Sequence, residues 1–190
     1  MIEVKIPEGE DLVNGSKCLE YEIPWMTPGS IHKLNESLNE NDIVLEIGTG
    51  GSTLFFAQRC KKVIAIETQN SWASTIRAKI SEKELLNIIY VVLPTEKDIC
   101  DFITDLNTDD VTVISVDPEG DGFDRSKILN ALLDKGISEN LRMIVLDNYS
   151  HERLFTLHHD KNVMDYPNWE SFSYDHERWA GSGTRIYLKK

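Results

Sequence analysis

The sequence predicts an α/β domain built on an open, doubly wound and mostly parallel sheet, and three observations carry that prediction. Five short apolar segments alternate with helical segments between residues 42 and 148, the rhythm of successive βαβ units. The first segment, Ile43-Val44-Leu45-Glu46-Ile47, runs into Gly48-Thr49-Gly50-Gly51-Ser52-Thr53, so a buried strand turns sharply on glycines into a helix carrying Leu54-Phe55-Phe56-Ala57. Acids stand at or near the ends of four segments, namely Glu46, Glu67, Asp117 and Asp147. They therefore share one rim of the sheet, the rim at which open α/β sheets bind their ligands.

Taken in order, residues 1–29 form a lead-in, with Pro7, Gly9 and Gly15 among acids and aliphatics and room for one short strand. Ile23-Pro24-Trp25-Met26-Thr27-Pro28-Gly29 is stiff, and Pro28 or Ser30 opens a helix to about residue 38. Trp25 and Met26 either brace the fold or close over a ligand. The second strand is expected over 63–67, a helix over 71–83, and a third strand over 88–93, where Pro94 stops it. A helix over 96–106, a strand over 111–117, a helix over 124–135 and a strand over 143–148 complete the alternation. Beyond Asn148 the rhythm weakens to a helix near 151–158 and two strands near 171–174 and 184–188, which pair as an antiparallel hairpin at the sheet edge. Trp169, Trp179 and Gly181-Ser182-Gly183 either rim a pocket or pack that edge. The expectation is one domain over 1–190, with a cofactor-binding core at 42–148 and a C-terminal edge and substrate rim at 149–190.

A chain of 190 residues can bury a full core without disulfides or metal staples. Its net charge of −12, from 32 acids against 20 bases, repels a phosphate backbone, and no Lys/Arg cluster offsets it. That balance counts against a nucleic-acid partner and favours a small-molecule one. Cys18, Cys60 and Cys100 are odd in number and widely spaced, which reads as reduced thiols in a cytoplasmic protein. No apolar run is long enough to span a bilayer, and the N-terminal residues lack a signal-peptide core.

The glycine turn invites a ligand because it lets one approach the main chain and offers N–H groups at a helix start. Glu67 follows Gly48 by 19 positions, close to the spacing of about 20 at which an acid reaches a ribose hydroxyl. An adenosine-containing cofactor is expected. A dinucleotide turn places Gly or Ala at the sixth position, where this chain has Thr53, and Glu46 stands two residues before Gly48. That pattern disfavours NAD and leaves a nicotinamide-dependent oxidoreductase as the lesser alternative.

Glu46-Ile-Gly48-Thr-Gly50-Gly51-Ser52-Thr53 resembles the first motif of the class I S-adenosylmethionine-dependent methyltransferases, and Glu67 matches their ribose-binding acid. The likeness runs from Trp25 to Asn148 and more weakly to the last strand, with Ser52 where many members have a third glycine. It implies a Rossmann-like domain that binds S-adenosylmethionine through Glu46, Gly48, Thr49, Gly50, Gly51, Ser52, Thr53 and Glu67. Methyl transfer to a small, expectedly oxygen, acceptor follows, or else a binding module of the same fold without catalysis. A narrower likeness concerns Asp117, Asp147 and Asn148, which correspond to positions that hold a divalent metal in the catechol O-methyltransferase type. Three oxygen donors suit Mg²⁺ or Ca²⁺. The lysine that follows the acidic motif of that type has no counterpart in Pro118-Glu119-Gly120-Asp121. Asp117 and His151 are the candidate catalytic residues, His151 standing either as a general base over the cofactor or as a surface or capping residue.

Overall fold

The computed structural model describes residues 2–119, 123–134, 138–149, 168–175 and 183–190. Five aliphatic runs form β1 (Ile43–Ile47), β2 (Lys62–Glu67), β3 (Ile88–Val92), β4 (Val113–Val116) and β5 (Met143–Asp147), parallel wherever they neighbour one another. Parallel neighbours need crossovers, supplied by α4 (Gly51–Ala57), α5 (Asn70–Glu82), α6 (Glu96–Asp105) and α7 (Arg125–Asp134). The expected hairpin is β6 (Trp169–Tyr174) and β7 (Thr184–Lys189). It joins with β7 inward, giving a seven-stranded sheet in the order β3-β2-β1-β4-β5-β7-β6. β7 runs antiparallel to both neighbours, in a register that pairs Met143 with Leu188 and Asp147 with Thr184.

Strand alternation sends successive side chains to opposite faces and so builds two core layers. Leu45, Ile47, Ile64, Ile66, Ile114 and Leu146 pack on one face against Ile99 and Ile103 of α6 and Ile128, Leu129 and Leu132 of α7. Val44, Val63, Ala65, Val113, Val145 and Ile186 pack on the other face against Phe55 and Phe56 of α4. The lead-in finishes this second layer. It forms α1 (Glu10–Val13) and α2 (Cys18–Tyr21) in place of the expected short strand, followed by α3 (Pro28–Ser37). Two four-residue helices have little stability of their own, so they hold because Leu12, Cys18 and Ile23 are buried in the layer.

Met26 is 2% exposed within the same layer, which makes it core and not a cover. Trp25 donates its indole N–H to the Val13 carbonyl at 3.2 Å, and its ring fills the space a Cβ on Gly15 would need, 2.7 Å away. Its contacts are those of a brace. Trp169 is buried in the first layer, packing the edge. The expected helix near 151–158, Trp179 and Gly181-Ser182 lie outside the described residues. Cys18 and Cys60 are buried free thiols that burial pushes up to about 11 and about 12, so they stay protonated. No helix among the described residues is long and apolar enough to cross a membrane.

At the amino ends of the strands, buried Asp42 ties the sheet together. Its carboxylate accepts from the Arg142 Nε at 2.8 Å, the Thr112 hydroxyl at 2.8 Å and the Asn39 N–H at 2.8 Å. At the carboxyl ends the critical contact is backbone on backbone. Gly48 has φ 89°, donates its N–H to Ile66 at 2.9 Å, and leaves no room for a side chain: a Cβ would lie 2.0 Å from the Asp117 carbonyl oxygen. Gly51 is similarly confined, since its Cβ would lie 2.2 Å from the Ile23 carbonyl oxygen. Gly50 differs, for a Cβ there would meet only the Ser52 hydroxyl at 3.9 Å.

These distances set an ordering of glycine substitutions. Gly48→Ala combines a left-handed backbone with a clash against main chain and should cost about 3 kcal/mol or more in urea unfolding. Gly50→Ala should stay within about 1 kcal/mol of the parent. Equal losses at both positions would contradict the packing described.

Candidate functional site

β1 and β4 are neighbours whose crossovers leave in opposite directions, so the crevice beyond their carboxyl ends lies at the point where strand order reverses. At that rim lie the turn 48–53, Glu67 at the end of β2, Asp117 after β4 and Asp147 at the end of β5. The sequence-predicted residues are therefore brought to one rim.

The turn spends four of its N–H groups within the protein, that of Thr53 on the Gly50 carbonyl at 3.2 Å among them, contrary to the expectation that they await a ligand. Gly48 bonds Ile66, Thr49 donates to Glu67 Oε2 at 3.2 Å, and Gly50 donates to the Thr53 hydroxyl at 3.1 Å. Glu67 is likewise engaged. Its Oε1 accepts the N–H groups of Thr68 and Gln69, both at 2.7 Å, and its Oε2 also accepts the Thr49 hydroxyl. That hydroxyl lies 2.8 Å from the Tyr90 OH, and Trp72, partly exposed on α5, donates its indole N–H to the Thr49 carbonyl at 2.7 Å. Trp72 and Tyr90 were missed by sequence reasoning, although an aromatic five residues after the strand-end acid is a usable signal.

Glu46 is the opposite case. It is 1% exposed, sits between Ala65 of β2 and Ser115 of β4 in register, and among the described residues has no charged partner, only the Ser52 and Thr53 hydroxyls nearby and neither in full hydrogen-bond geometry. Burial pushes it up to about 8, against the weaker pull of the nearby Ser52 and Thr53 hydroxyls and with a push from Asp117 and Glu67. A buried carboxylate without a donor is a costly group to keep. A cationic donor placed against it would restore its ionised form.

Asp117, Asp147 and Asn148 also converge, but a guanidinium stands where a divalent ion is expected from the sequence. Arg125, the first residue of α7 and 4% exposed, places Nη1 at 2.8 Å from Asp117 Oδ1 and donates it to the Asp147 carbonyl at 2.8 Å and Asn148 Oδ1 at 3.0 Å. Its Nη2 donates to the Pro118 carbonyl at 2.9 Å. Among the described residues no cluster of three His, Cys, Asp or Glu side chains is arranged to hold a metal ion. Asp147 turns its carboxyl to the Thr184 hydroxyl at 2.6 Å. Burial first, then the charge of Asp117, pushes Asp147 up to about 8. Burial raises Asp117 too, against the pull of Arg125. Asp117 keeps 30% of its side chain open, so of the two carboxyls in the group it is the one that solvent reaches. His151 lies outside the described residues.

A glycine turn after β1, an acid ending β2 and an antiparallel seventh strand inserted beside β5 define the class I S-adenosylmethionine-dependent methyltransferase fold. The dinucleotide-binding fold has a different strand order, 3-2-1-4-5-6. Solved structures agree on the fold. The chain is similar to a caffeoyl-CoA O-methyltransferase candidate from Staphylococcus aureus, with a TM-score of 0.66, 12% identity, and 97% of this chain and 93% of that one covered. It is similar to the O-methyltransferase TomG from Streptomyces achromogenes in complex with S-adenosylmethionine, with a TM-score of 0.61, 16% identity, and coverage of 97% and 92%. A dimethyladenosine transferase from Plasmodium falciparum is similar at a TM-score of 0.56 and 16% identity, over 87% of this chain and 62% of that one. No protein-family model matches the chain, and no curated protein matches its sequence.

The residues present fit the cofactor of that fold. A Cβ on Gly50 would meet only the Ser52 hydroxyl, at 3.9 Å, and the buried Glu46 carboxyl has room for a cationic donor in place of the charged partner it lacks among the described residues. The acid also sets a pH dependence. Glu46 is raised in the folded state above its unfolded value near 4.5, so the unfolded chain loses its proton first and stability falls as pH rises from about 4.5 through about 8. Glu46→Gln should therefore melt higher than the parent by roughly 5 °C at pH 8, with the gap closing toward pH 4.5. A constant gap across that range, read by scanning calorimetry, would show that Glu46 is ionised when folded.

Proposed function

We propose that this chain transfers the methyl group of S-adenosylmethionine to an oxygen of a small acceptor. The observation that supports this most is Glu46, a buried carboxylate with no charged partner among the described residues, at the switch point of a methyltransferase fold. In this reading Glu46 receives the amino group at the amino-acid end of the cofactor, and the turn of Gly48, Thr49, Gly50, Gly51, Ser52 and Thr53 walls that end. Glu67 receives a ribose hydroxyl in exchange for the Thr49 hydroxyl, which has Tyr90 as its second partner. The bound sulfonium supplies a reactive methyl group together with its own leaving group. What is left to the protein is alignment and removal of one proton. Asp117 is assigned that proton because its carboxylate is the one that solvent reaches, and Arg125 holds it in place. His151 is the other candidate for the proton. The net charge of −12 favours a small acceptor over a polyanion.

Calorimetry with two ligands tests the assignments. S-adenosylhomocysteine should bind and NAD should not. Glu67→Gln should weaken S-adenosylhomocysteine by about 1.5–3 kcal/mol, or about 10- to 150-fold, and should weaken 5′-methylthioadenosine comparably because both carry the ribose. Glu46→Gln should weaken S-adenosylhomocysteine in the same range and leave methylthioadenosine, which lacks the amino-acid end, nearly unchanged. No binding of S-adenosylhomocysteine by the folded parent would overturn the function.

A further inference from the structure

We propose that Arg125 is a built-in cation at the acceptor end of the site, gathering oxygens and balancing charge as a bound divalent metal would, so that the chain works without one. The use of the site rests on the methyltransferase reading; the place of the cation rests on geometry alone. Four oxygens from the β4 and β5 ends converge on one guanidinium. They are Asp117 Oδ1 at 2.8 Å, the Asp147 carbonyl at 2.8 Å, Asn148 Oδ1 at 3.0 Å and the Pro118 carbonyl at 2.9 Å. A carboxylate, an amide and two carbonyls are a hard-oxygen set of the kind that Ca²⁺ or Mg²⁺ takes.

Helix physics gives no reason for an arginine at this point. Arg125 opens α7, where the helix dipole disfavours a cation, and it is almost wholly removed from water. Its Nε has no hydrogen-bond partner among the described residues, whose oxygens gather instead on the two terminal nitrogens. Asn148 takes a left-handed backbone with φ 51°, and its amide oxygen reaches the guanidinium. The charge is already balanced locally, since Arg125 faces Asp117 while Asp147 is committed to Thr184. A divalent ion at this place would have to displace the guanidinium from the same oxygens. Arg125 is thus a positioning residue: it fixes the ends of β4 and β5 relative to each other and holds Asp117 in place.

Vacating the guanidinium should expose the oxygens to a metal. Titration of the full chain with Mn²⁺, followed by electron paramagnetic resonance, should show no saturable binding. Arg125→Ala should bind one equivalent at least about tenfold more tightly than the parent. It should also melt lower than the parent and recover in part on addition of Mn²⁺ or Ca²⁺, but not of NaCl at equal ionic strength. Should this variant be unfolded without metal, the same ions should refold it, because a ligand of the folded state alone shifts the equilibrium. Adding Asp117→Asn should abolish the binding and the recovery. One equivalent of Mn²⁺ on the parent that Asp117→Asn removes would overturn the proposal. So would an Arg125→Ala chain that neither binds Mn²⁺ nor gains order from it at millimolar concentration. No arm uses an adenosyl ligand, so this result and the cofactor result can fail separately.

Discussion

The rim of the sheet depends on one steric constraint, the passage of the β1 backbone against the backbone leaving β4. Gly48 makes it possible by having no side chain and by taking φ 89°. Because the two chains meet there, Asp117 follows directly after Val116 with its N–H bonded to Ile47 at 2.7 Å, and the crevice opens at a fixed place. Glu46 lies two residues before Gly48, inside β1 and between two neighbouring strands, so its carboxylate is held away from water. The position of the site and the burial of its acid are therefore two results of one close approach.

Buried charge is handled in three ways along the sheet. At the amino ends Asp42 is paired with Arg142 and saturated by Thr112 and Asn39, a structural arrangement with no donor to spare. At the ends of β4 and β5 a guanidinium satisfies several oxygens together. Glu46 has no charged partner among the described residues and only two hydroxyls, of Ser52 and Thr53, beside it. Pairing or hydrogen bonding is the ordinary condition of a buried ionisable group, so the exception marks the position where the folded protein is incomplete by itself.

Most of the architecture was legible in the sequence because the aliphatic runs 43–47, 63–67 and 143–147 and the acids ending them are strong, local signals. What escaped was set by contacts distant in sequence. The α1 and α2 helices are held by burying Leu12 and Cys18 in the same layer as Phe55 and Phe56, and no period in residues 8–21 announces that. Gly51 looks like a ligand-binding glycine from its motif, yet its missing side chain makes room for the Ile23 and Cys18 carbonyls. Arg125 falls within the helix expected over 124–135, and nothing local to it reveals the oxygens of Asp147 and Asn148 more than twenty residues away. The oxygen donors were found from sequence; the cation among them was not.

The inward placement of β7 has a consequence for how the chain reaches this structure. β5 is complete at Asp147, but its outer edge is closed only by a strand that begins at Thr184, 37 residues later. Until then a five-residue ladder of highly apolar sequence stands open, and β6, although made earlier, has no place to dock because its own partner is β7. A ribosome-bound or thermally frayed chain would therefore present β5 as a sticky edge, the type of surface that chaperones cover and that seeds strand exchange between molecules. Late closure of this seam makes the interval between β5 and β7 the vulnerable stage in the protein's assembly.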